Sequence, residues 1–394
     1  MKHALIVGAG PAGLMAAETL SAAGLRVTLC DALPSAGRKF LMAGKSGLNL
    51  TMDEPLAQFL TNYRESTDWL SPFVEEFDAS AVRDWAQGLD QEIFTGSTGR
   101  VFPRAMKASP LLRAWLARLA ANGVLLRTRM RWQGWDDNGN ALFDTPSGSE
   151  SVTADVTVLA LGGNSWSKLG ADGRWAAILE RRGVQTAPFA PSNAGLAVDW
   201  TDHMRGHFGA ALKSVRWSAG AQTSRGEAVL SARGLEGGGI YTLSPALRQG
   251  AALRIDLVPD LTPEQLTGPK APARGRTLSH WMKSTLRLSP VKAALVFEMA
   301  GGQRADPQNW ASLIKELPVR HNGFLPADEA ISTVGGVSRA AVTGDLMLSA
   351  VPGVFCAGEM LDWDAPTGGY LITACLATGR HAGLGALRYL AAAA

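Results

Sequence analysis

ALIVGAGPAGLMAAETLSAAGLRVTLCD, residues 4–31, is the stretch that decides the fold of this protein. The apolar run at 4–7 is typical of a buried parallel strand, and apolar residues recur at helical spacing after Pro11. A second strand-like run, residues 25–31, ends in an acidic residue. The order of strand, glycine-rich turn, helix and strand is the context that a dinucleotide-binding fingerprint requires.

Each glycine of the GAGPAG turn has a physical task in such a fingerprint. Gly8 permits the tight turn, Gly10 lets backbone N–H groups approach a pyrophosphate, and Gly13 lets helix and strand pack closely. The pyrophosphate would lie at the positive end of the helix. Asp31 is placed to accept a hydrogen bond from a ribose 2′-hydroxyl, and its charge would repel the 2′-phosphate of NADP. The turn alone does not separate FAD from NAD.

A second glycine-rich turn occurs in residues 351–383. The apolar strand GVFCAGE ends in Gly358 and Glu359, and a helical pattern begins at the pair Gly368 and Gly369. Two nucleotide-type elements at the two ends of the sequence predict one split domain that closes on one long ligand. FAD is such a ligand, with its adenosine end at the first turn and its isoalloxazine ring at the second.

The segments between these turns supply further candidate contacts. Residues 35–51 form a basic, glycine-rich loop, in which Arg38, Lys39 and Lys45 could face phosphates. The run ADVTVLALGG, residues 154–163, predicts a buried strand whose small terminal residues allow close approach to a ligand. A helix is predicted after residue 108, with Ser109 as its N-cap.

The sequence character changes after residue 187, which predicts an insertion. We expect an α/β fold in which a split Rossmann-like FAD domain of the two-dinucleotide-binding type receives a β-rich region and a small helical region. The predicted FAD domain comprises residues 1–187 and 326–394, and the predicted substrate or cap region comprises residues 188–325. Within that region the sequence is strand-like at 188–258 and helical at 262–317.

The amino-acid composition limits the kinds of partner that we expect the protein to bind. The 394 residues are 46% apolar, carry a net charge of +3 and contain no basic run, so we expect no nucleic-acid partner. Three scattered cysteines without a CxxC pair predict a cytoplasmic protein, and no stretch predicts a membrane span. The six histidines show no metal-binding or triad pattern, so no metal site is expected. No separate nicotinamide domain is visible, so any NAD(P)H would bind transiently.

The whole chain resembles the bacterial FAD flavoprotein family that includes aminoacetone oxidase-like and bile-acid reductase-like proteins. The resemblance rests on GAGPAGLMAA, GRKFLMAGKSGLNLT, GRVFP, LALGGNSW, TVGGVS and CAGEMLDWDAPTGGYLITACLATGRHAG, in that order. It implies an FAD-dependent oxidoreductase built from a split FAD domain, a β-rich insert and a small helical insert. Two departures mark a divergent subgroup: the family's Arg-Cys pair is here Gly47-Leu48, and its Asn and Gln after Tyr370 are absent.

The predicted site follows from these turns, segments and family motifs. Tyr370, next to the second glycine pair, is the candidate catalytic acid, with a packed aromatic as the alternative. The predicted FAD-binding residues are Gly8, Gly10, Pro11, Ala12, Gly13, Asp31, Ala32, Arg38, Lys39, Ser46, Asn49, Thr51, Met130, Ala160, Leu161, Gly162, Gly358, Glu359, Gly368, Gly369, Tyr370 and Leu371.

Three functions are compatible with these predictions. The first is hydride transfer at flavin N5 to or from a small, fairly apolar organic substrate, by amine oxidation or by reduction of an enone. The second is a flavin-dependent RNA-modifying enzyme, and the third is a redox-inactive flavin-binding regulator. For the first we expect substrate between the flavin ring and the inserted region, because ligand sites favour domain junctions.

Overall fold

The computed structural model describes residues 1–45 and 47–393 and divides into two compact units. Unit 1 consists of Met1–Ala190 together with Ser332–Ala394, and unit 2 consists of Pro191–Ile331. Each unit has its own hydrophobic core. The chain therefore leaves unit 1, builds unit 2 and returns to complete unit 1.

The centre of unit 1 is a five-stranded sheet in which all strands are parallel. Strands β1 (His3–Val7) and β2 (Arg26–Asp31) lie side by side, with β6 (Leu125–Thr128) at the edge next to β2. On the other side of β1 lie β10 (Val156–Leu159) and then β21 (Val354–Cys356). Because β1, β10 and β21 are buried throughout, they read as continuous apolar runs rather than alternating ones.

Two helices pack together beside this sheet and join the two parts of unit 1. Helix α1 (Pro11–Ala22) follows β1, and the long helix α14 (Tyr370–Ala392) follows β21. A Cβ atom built on Gly379 of α14 would lie only 2.2 Å from the backbone oxygen of Ala12. Glycine at this position therefore allows the two helix backbones to approach more closely than any side chain would permit.

Smaller elements complete unit 1. Strands β3, β5 and β4 form one antiparallel sheet, β7, β8 and β9 form another, and β11 pairs with β20. Their bounds are β3 (Thr51–Met52), β4 (Ile93–Thr95), β5 (Arg100–Pro103), β7 (Arg131–Trp135), β8 (Ala141–Thr145), β9 (Gly148–Val152), β11 (Thr186–Ser192) and β20 (Ser332–Val337). The helices are α2 (Arg38–Ala43), α3 (Leu56–Thr61), α4 (Thr67–Glu76), α5 (Ala79–Gln87), α6 (Ala108–Ala121) and α7 (Trp175–Glu180).

The N-terminus of helix α6 differs from the sequence prediction. We expected Ser109 to be the N-cap, but the helix begins at Ala108 and its N-cap is Lys107. The Lys107 backbone has φ −116° and ψ 148°, which is extended, so the chain enters the helix two residues earlier than expected. Ser109 is consequently a first-turn residue, and the predicted cap is wrong.

Unit 2 contains two antiparallel four-stranded sheets followed by helices. The first sheet has the order β12-β17-β16-β13 and the second β15-β14-β18-β19. The strands are β12 (Leu196–Ala197), β13 (Ala211–Leu212), β14 (Arg216–Ala219), β15 (Gln222–Ser224), β16 (Ala228–Ser231), β17 (Gly234–Glu236), β18 (Leu253–Asp256) and β19 (Leu317–Pro318). The helices are α8 (Gly238–Tyr241), α9 (Ser244–Arg248), α10 (Pro263–Thr267), α11 (Leu278–Ser284), α12 (Pro290–Met299) and α13 (Trp310–Lys315).

The predicted fold class is confirmed: a parallel dinucleotide-type sheet is accompanied by additional antiparallel sheets and short helices. The core of unit 2 is built around the fully buried side chains of Trp217, Leu235 and Leu295. None of the helices within residues 1–45 and 47–393 combines the length and the apolar character that crossing a membrane would need.

The contact between α1 and α14 predicts the effect of adding one methyl group. We expect Gly379→Ala to lower the free energy of unfolding by about 2 kcal/mol, because a Cβ 2.2 Å from a backbone oxygen puts the overpacking cost at the upper end of its usual range, ~3 kcal/mol, while alanine regains ~1 kcal/mol of helix propensity. Gly383→Ala, in the same helix, is the matched control, because its Cβ would come no closer than 3.0 Å to the Thr19 side chain and 3.5 Å to the backbone oxygen of Ala16. Thermal unfolding followed by circular dichroism measures both. Equal melting temperatures for Gly379→Ala and the unaltered protein would contradict the proposed steric constraint.

Candidate functional site

A groove runs along the carboxyl ends of strands β1, β10 and β21, where the first and second glycine turns meet. Strands in a parallel sheet all end at the same edge, so this edge collects residues that are far apart in the sequence. The predicted residues that line the groove are Gly8, Gly10, Pro11, Ala12, Asp31, Ala32, Arg38, Lys39, Met130, Ala160, Leu161, Gly162, Gly358 and Glu359.

The remaining predicted residues do not line this groove. Gly13 is buried beneath it, and Ser46 lies outside the described residues. The others are grouped around the first turn of α14 and strand β3: Asn49, Thr51, Gly368, Gly369, Tyr370 and Leu371. The structure thus places the predicted residues in two groups, the groove and the start of α14.

The three glycines of the first turn have different structural reasons. Gly8 has φ +105°, and a Cβ atom there would lie 2.2 Å from the backbone oxygen of Ala160. A Cβ atom on Gly13 would lie 1.9 Å from the backbone oxygen of Gly8, so both positions are filled by the protein itself. Gly10 differs, because its φ of −84° suits any residue and a Cβ atom there would meet nothing within 4 Å. Gly10 therefore borders space that is open to a ligand.

Asp31 presents a fixed carboxylate at the end of β2. Its Oδ2 accepts a hydrogen bond from the Ala9 backbone N–H at 3.0 Å, and its Oδ1 accepts one from the Leu33 N–H at 2.8 Å. Burial raises the pKa of this carboxyl group, while the two backbone N–H groups oppose the shift. Each carboxylate oxygen retains a further lone pair, so the group is able to accept hydrogen bonds from ribose hydroxyls.

An ion pair connects helix α2 with the second glycine-rich turn, and both of its residues line the groove. Lys39 Nζ lies 2.6 Å from Glu359 Oε2 and donates a second hydrogen bond to the Ser165 hydroxyl at 2.7 Å. Glu359 Oε1 accepts a hydrogen bond from the Thr333 backbone N–H at 3.0 Å. The Glu359 side chain is 7% exposed, so its charge depends on these partners rather than on water. The charge of Lys39, expected to face a phosphate, is thereby directed to a carboxylate.

Several groove residues were missed by the sequence analysis. They are Val7, Ala9, Gly37, Trp132, Leu169, Gly170, Ala171, Ala357 and Cys375. Four of them are next to a predicted residue in the sequence: Val7, Ala9, Gly37 and Ala357. Widening each motif by one position would have found these four. Trp132 and Leu169 come from segments without a nucleotide-binding pattern. The buried Trp132 indole N–H has no hydrogen-bond partner among the described residues.

Cys375 lines the groove from the second turn of α14. Burial raises the pKa of its thiol to about 12, and the nearby Glu359 carboxylate contributes in the same direction. The thiol is therefore neutral at physiological pH and is not a thiolate nucleophile. Among the residues that the structure describes, no group of three or more His, Cys, Asp or Glu side chains is placed to hold a metal ion.

Tyr370 lies in an aromatic cluster at the start of α14. Its hydroxyl donates a hydrogen bond to Glu54 Oε1 at 2.6 Å, and its backbone oxygen accepts one from the Tyr63 hydroxyl at 2.9 Å. The Phe59 ring is 4.7 Å away between centroids. Burial, followed by the Glu54 hydrogen bond and charge, raises the Tyr370 pKa, so its phenol keeps its proton at neutral pH.

Arg100 borders the same cluster and was not predicted. Its Nε lies 3.7 Å from the position that a Cβ atom would occupy on Gly368, and its charge acts on the Tyr370 hydroxyl. Its guanidinium forms no hydrogen bond or ion pair with the residues described at 1–45 and 47–393. A cation, a protonated phenol and a carboxylate are thus grouped beside the second glycine turn.

The groove fits a dinucleotide on structural grounds. Open space beside Gly10 at the N-terminus of α1 suits a pyrophosphate, and the fixed Asp31 carboxylate suits an adenosine ribose. The buried Asn49 side-chain oxygen, near the second turn, has no partner among the described residues. An amide with a free acceptor is the kind of group that binds the N–H edge of a flavin ring.

Comparisons with known proteins identify the family to which this chain belongs. Residues 2–385 match the family model described as the HI0933-like protein Rossmann domain. A 3-dehydro-bile acid delta(4,6)-reductase of Clostridium scindens is 24% identical over 413 residues, covering 96% of this chain and 97% of the relative. A ribosomal RNA dihydrouridine synthase of Escherichia coli is 25% identical over 395 residues, covering 93% of each protein.

Two solved structures share the fold. A flavocytochrome c3 fumarate reductase in its open conformation superposes with a TM-score of 0.55 at 17% identity, covering 98% of this chain and 78% of that chain. A 3-ketosteroid-delta4-(5alpha)-dehydrogenase of Rhodococcus jostii superposes with a TM-score of 0.52 at 15% identity, covering 98% of this chain and 97% of that chain. At these identities the likeness shows the fold alone.

The open space at Gly10 gives a clean test of the groove. We expect Gly10→Val to fold normally, because its backbone is unstrained and its Cβ is unobstructed, but to weaken FAD binding at least a hundredfold. Fluorescence titration of the cofactor-free protein with FAD measures the affinity, and thermal unfolding of the same sample checks the fold. Ala23→Val, just beyond the other end of α1, is the control. Normal FAD affinity in Gly10→Val would remove the pyrophosphate from this turn.

Proposed function

Since this chain belongs to the HI0933-like family and is an FAD-dependent oxidoreductase, we propose that it reduces a carbon–carbon double bond conjugated to a carbonyl group in a small, largely apolar molecule. The observation that carries the proposal is the grouping of Arg100, Tyr370 and Glu54 at the start of α14. Reduction of such a bond needs one group that stabilises negative charge and one that donates a proton. This cluster contains both.

The relatives support the choice between the two reactions that the sequence left open. The C. scindens relative is a reductase of a 3-dehydro-bile acid, and the E. coli relative makes dihydrouridine in ribosomal RNA. In chemical terms both names describe addition of two hydrogens to a double bond conjugated to a carbonyl. Neither names an amine. We therefore favour double-bond reduction over amine oxidation.

Bound FAD supplies a hydride from N5 of its reduced ring. When a hydride adds to the carbon β to the carbonyl, the π electrons move toward the carbonyl oxygen and the α carbon gains a proton. We assign charge stabilisation at the oxygen to Arg100, whose guanidinium has no anionic partner of its own among the described residues. A cation beside the carbonyl oxygen stabilises the negative charge that develops there.

We assign the proton to Tyr370. Its raised pKa keeps the phenol protonated, and an enolate carbon is basic enough to accept a proton from such a weak acid. The hydroxyl donates this proton in a hydrogen bond to Glu54 Oε1 at 2.6 Å, so its transfer to the substrate carbon breaks that hydrogen bond and leaves a phenolate that must regain a proton from solvent. Phe59 and Tyr63 fix the ring from two sides, so the hydroxyl has one direction in which to point.

The surroundings of this cluster favour an apolar substrate. Met52 lies within 3.4 Å of the Gly368 Cβ position, and the residues that follow Tyr370 are Leu371 and Ile372. The family motif GGYNLQ would place Asn at position 371 and Gln at position 373, where this chain has Leu371 and Thr373, so both amide groups are absent here. A site with fewer polar partners discriminates against polar substrates, because their desolvated groups would remain unpaired.

A second candidate is reduction of uridine within RNA, since the dihydrouridine synthases of E. coli and Haemophilus influenzae are relatives at 25% identity. The reaction would be the same, because the uracil double bond is conjugated to a carbonyl. The small-molecule proposal is favoured by the apolar residues after Tyr370 and by the net charge of only +3. A polyanionic substrate would call for a larger basic surface.

Substrate class is tested with the reduced enzyme. We expect the anaerobically photoreduced, FAD-loaded protein to be reoxidised within seconds by a cyclic enone or a 4-ene-3-ketosteroid, with the saturated ketone as product. Stopped-flow absorbance of the flavin measures the rate, and mass spectrometry identifies the product. A uridine-containing ribosomal RNA fragment is the parallel arm. Reoxidation by RNA alone would replace the small-molecule proposal, and reduction of the oxidised flavin by amines would replace double-bond reduction.

Substitutions of Tyr370 and of Arg100 should both slow flavin reoxidation, but only for Arg100 is a conservative replacement expected to restore part of the rate. We expect Tyr370→Phe to slow reoxidation by the enone about 10²–10⁴-fold, the range typical of general acid catalysis, while FAD affinity stays unchanged. Arg100→Met should slow the same step about 10²–10³-fold, and Arg100→Lys should recover part of the loss. Tyr63→Phe is the control, because it removes a neighbouring hydroxyl from the same cluster. A Tyr370→Phe rate equal to that of the unaltered protein would leave Tyr370 as a packing residue only.

A further inference from the structure

A second pocket lies between helices α2 and α6 and adjoins the groove through Arg38 and Leu169, which line both. It belongs entirely to unit 1. The lining residues are Ser35, Arg38, Leu41, Met42, Gly44, Lys45, Lys107, Ala108, Ser109 and Leu169. No function described so far uses it.

All the charged residues that line this pocket are positive. Arg38, Lys45 and Lys107 contribute three cations, and none of the lining residues is acidic. The side chains of Lys45 and Lys107 form no ion pair or hydrogen bond with the described parts of the chain. The Arg38 side chain donates to the Ser35 hydroxyl at 3.0 Å, and its charge also acts on Asp31 in the groove. Three like charges around one pocket repel one another unless an anion joins them. The pocket is thus complementary to a multiply charged anion.

The rest of the lining indicates what carries that anion. Leu41, Met42 and Leu169 give the pocket an apolar wall, and Met42 is one of the large apolar side chains that the structure exposes. Ser35 and Ser109 add hydroxyl groups that donate hydrogen bonds. An apolar wall beside a cationic rim suits a phosphate attached to a flat, weakly polar group such as a purine nucleoside.

We propose that this pocket binds the adenosine 2′-phosphate of a reduced nicotinamide dinucleotide phosphate, the electron donor of the enzyme. The inference rests on the proposed function, because double-bond reduction consumes two electrons that a reductant must restore. The donor gives up one hydride and leaves as its aromatic pyridinium form. Those two electrons equal the two that enter the substrate, and the second hydrogen arrives as a proton.

Asp31 explains why this phosphate needs its own pocket. The groove holds a carboxylate where a 2′-phosphate would lie, so it excludes a 2′-phosphorylated nucleotide by repulsion. The adjoining pocket has the opposite charge, and cationic side chains are the groups that accommodate a 2′-phosphate. A donor anchored there remains next to the FAD groove, because the two spaces share Arg38 and Leu169.

Binding is tested without turnover. Isothermal titration of the FAD-loaded protein with adenosine 2′,5′-bisphosphate and with ADP compares nucleotides with and without the 2′-phosphate. We expect tighter binding of the bisphosphate, and a loss of about tenfold in Lys45→Ala and in Lys107→Ala, because each removes one charge-assisted contact. ADP binding should change little. Lys168→Ala is the matched control, since Lys168 is an exposed lysine next to Leu169 that does not line the pocket.

Flavin reduction gives a second readout. The NADPH concentration for half-maximal anaerobic reduction should rise about tenfold in Lys45→Ala and Lys107→Ala, whereas that for NADH should not change. Equal binding of the bisphosphate by variants and unaltered protein would overturn the proposal. Weakened FAD binding with unchanged bisphosphate binding would also overturn it, because the cations would then belong to the FAD pyrophosphate. A third contradicting result is that the variants lose affinity only for an RNA fragment. NADPH reduction without enone turnover would instead refute the proposed function and leave this pocket assigned.

Discussion

The close packing of helix α1 on helix α14 is the contact on which the site depends. The helices come from opposite parts of the sequence, and only glycine at position 379 lets their backbones meet at Ala12. Ala12 is also the residue against which Gly358 lies, at 2.7 Å from its Cβ position to the Ala12 Cβ. The first and second glycine turns are therefore positioned against each other by the same few small residues. A larger side chain at this contact would separate the two walls of the groove.

Charged residues also connect the two parts of unit 1. The Lys39–Glu359 ion pair joins helix α2 to the second glycine turn, and removing Lys39 would leave the buried Glu359 carboxylate without its cationic partner. Charge is also divided along the site: a carboxylate at the ribose end, cations in the adjoining pocket, and one cation with a neutral phenol near the second turn. Unit 1 thus carries groups of opposite charge in neighbouring places, and the proposed sites for the donor and the substrate rest on this division.

The fold class was predictable from sequence because it depends on a local pattern, whereas FAD was predicted only by combining two distant glycine turns with the family resemblance. GAGPAG between two strands requires a βαβ unit, whatever surrounds it. The Ser109 prediction failed because the extended Lys107 backbone, set by the preceding loop, decides where α6 begins. Trp132 and Leu169 were missed because only the folded sheet brings them beside Asp31 and Arg38. The Lys39–Glu359 pair joins residues that are 320 positions apart in the sequence. Neither composition nor periodicity indicates that two such distant residues are in contact.

The split of unit 1 also sets an order of events during synthesis. All of unit 2, residues 191–331, leaves the ribosome before β21 and α14 exist, and domains tend to fold as they emerge. Until residues 354–379 follow, the parallel sheet lacks β21, α1 lacks its helical partner and Lys39 lacks its carboxylate. In the nascent chain the groove is thus incomplete while the core of unit 2 can already fold. Capture of FAD becomes a late step that reports the completion of the chain.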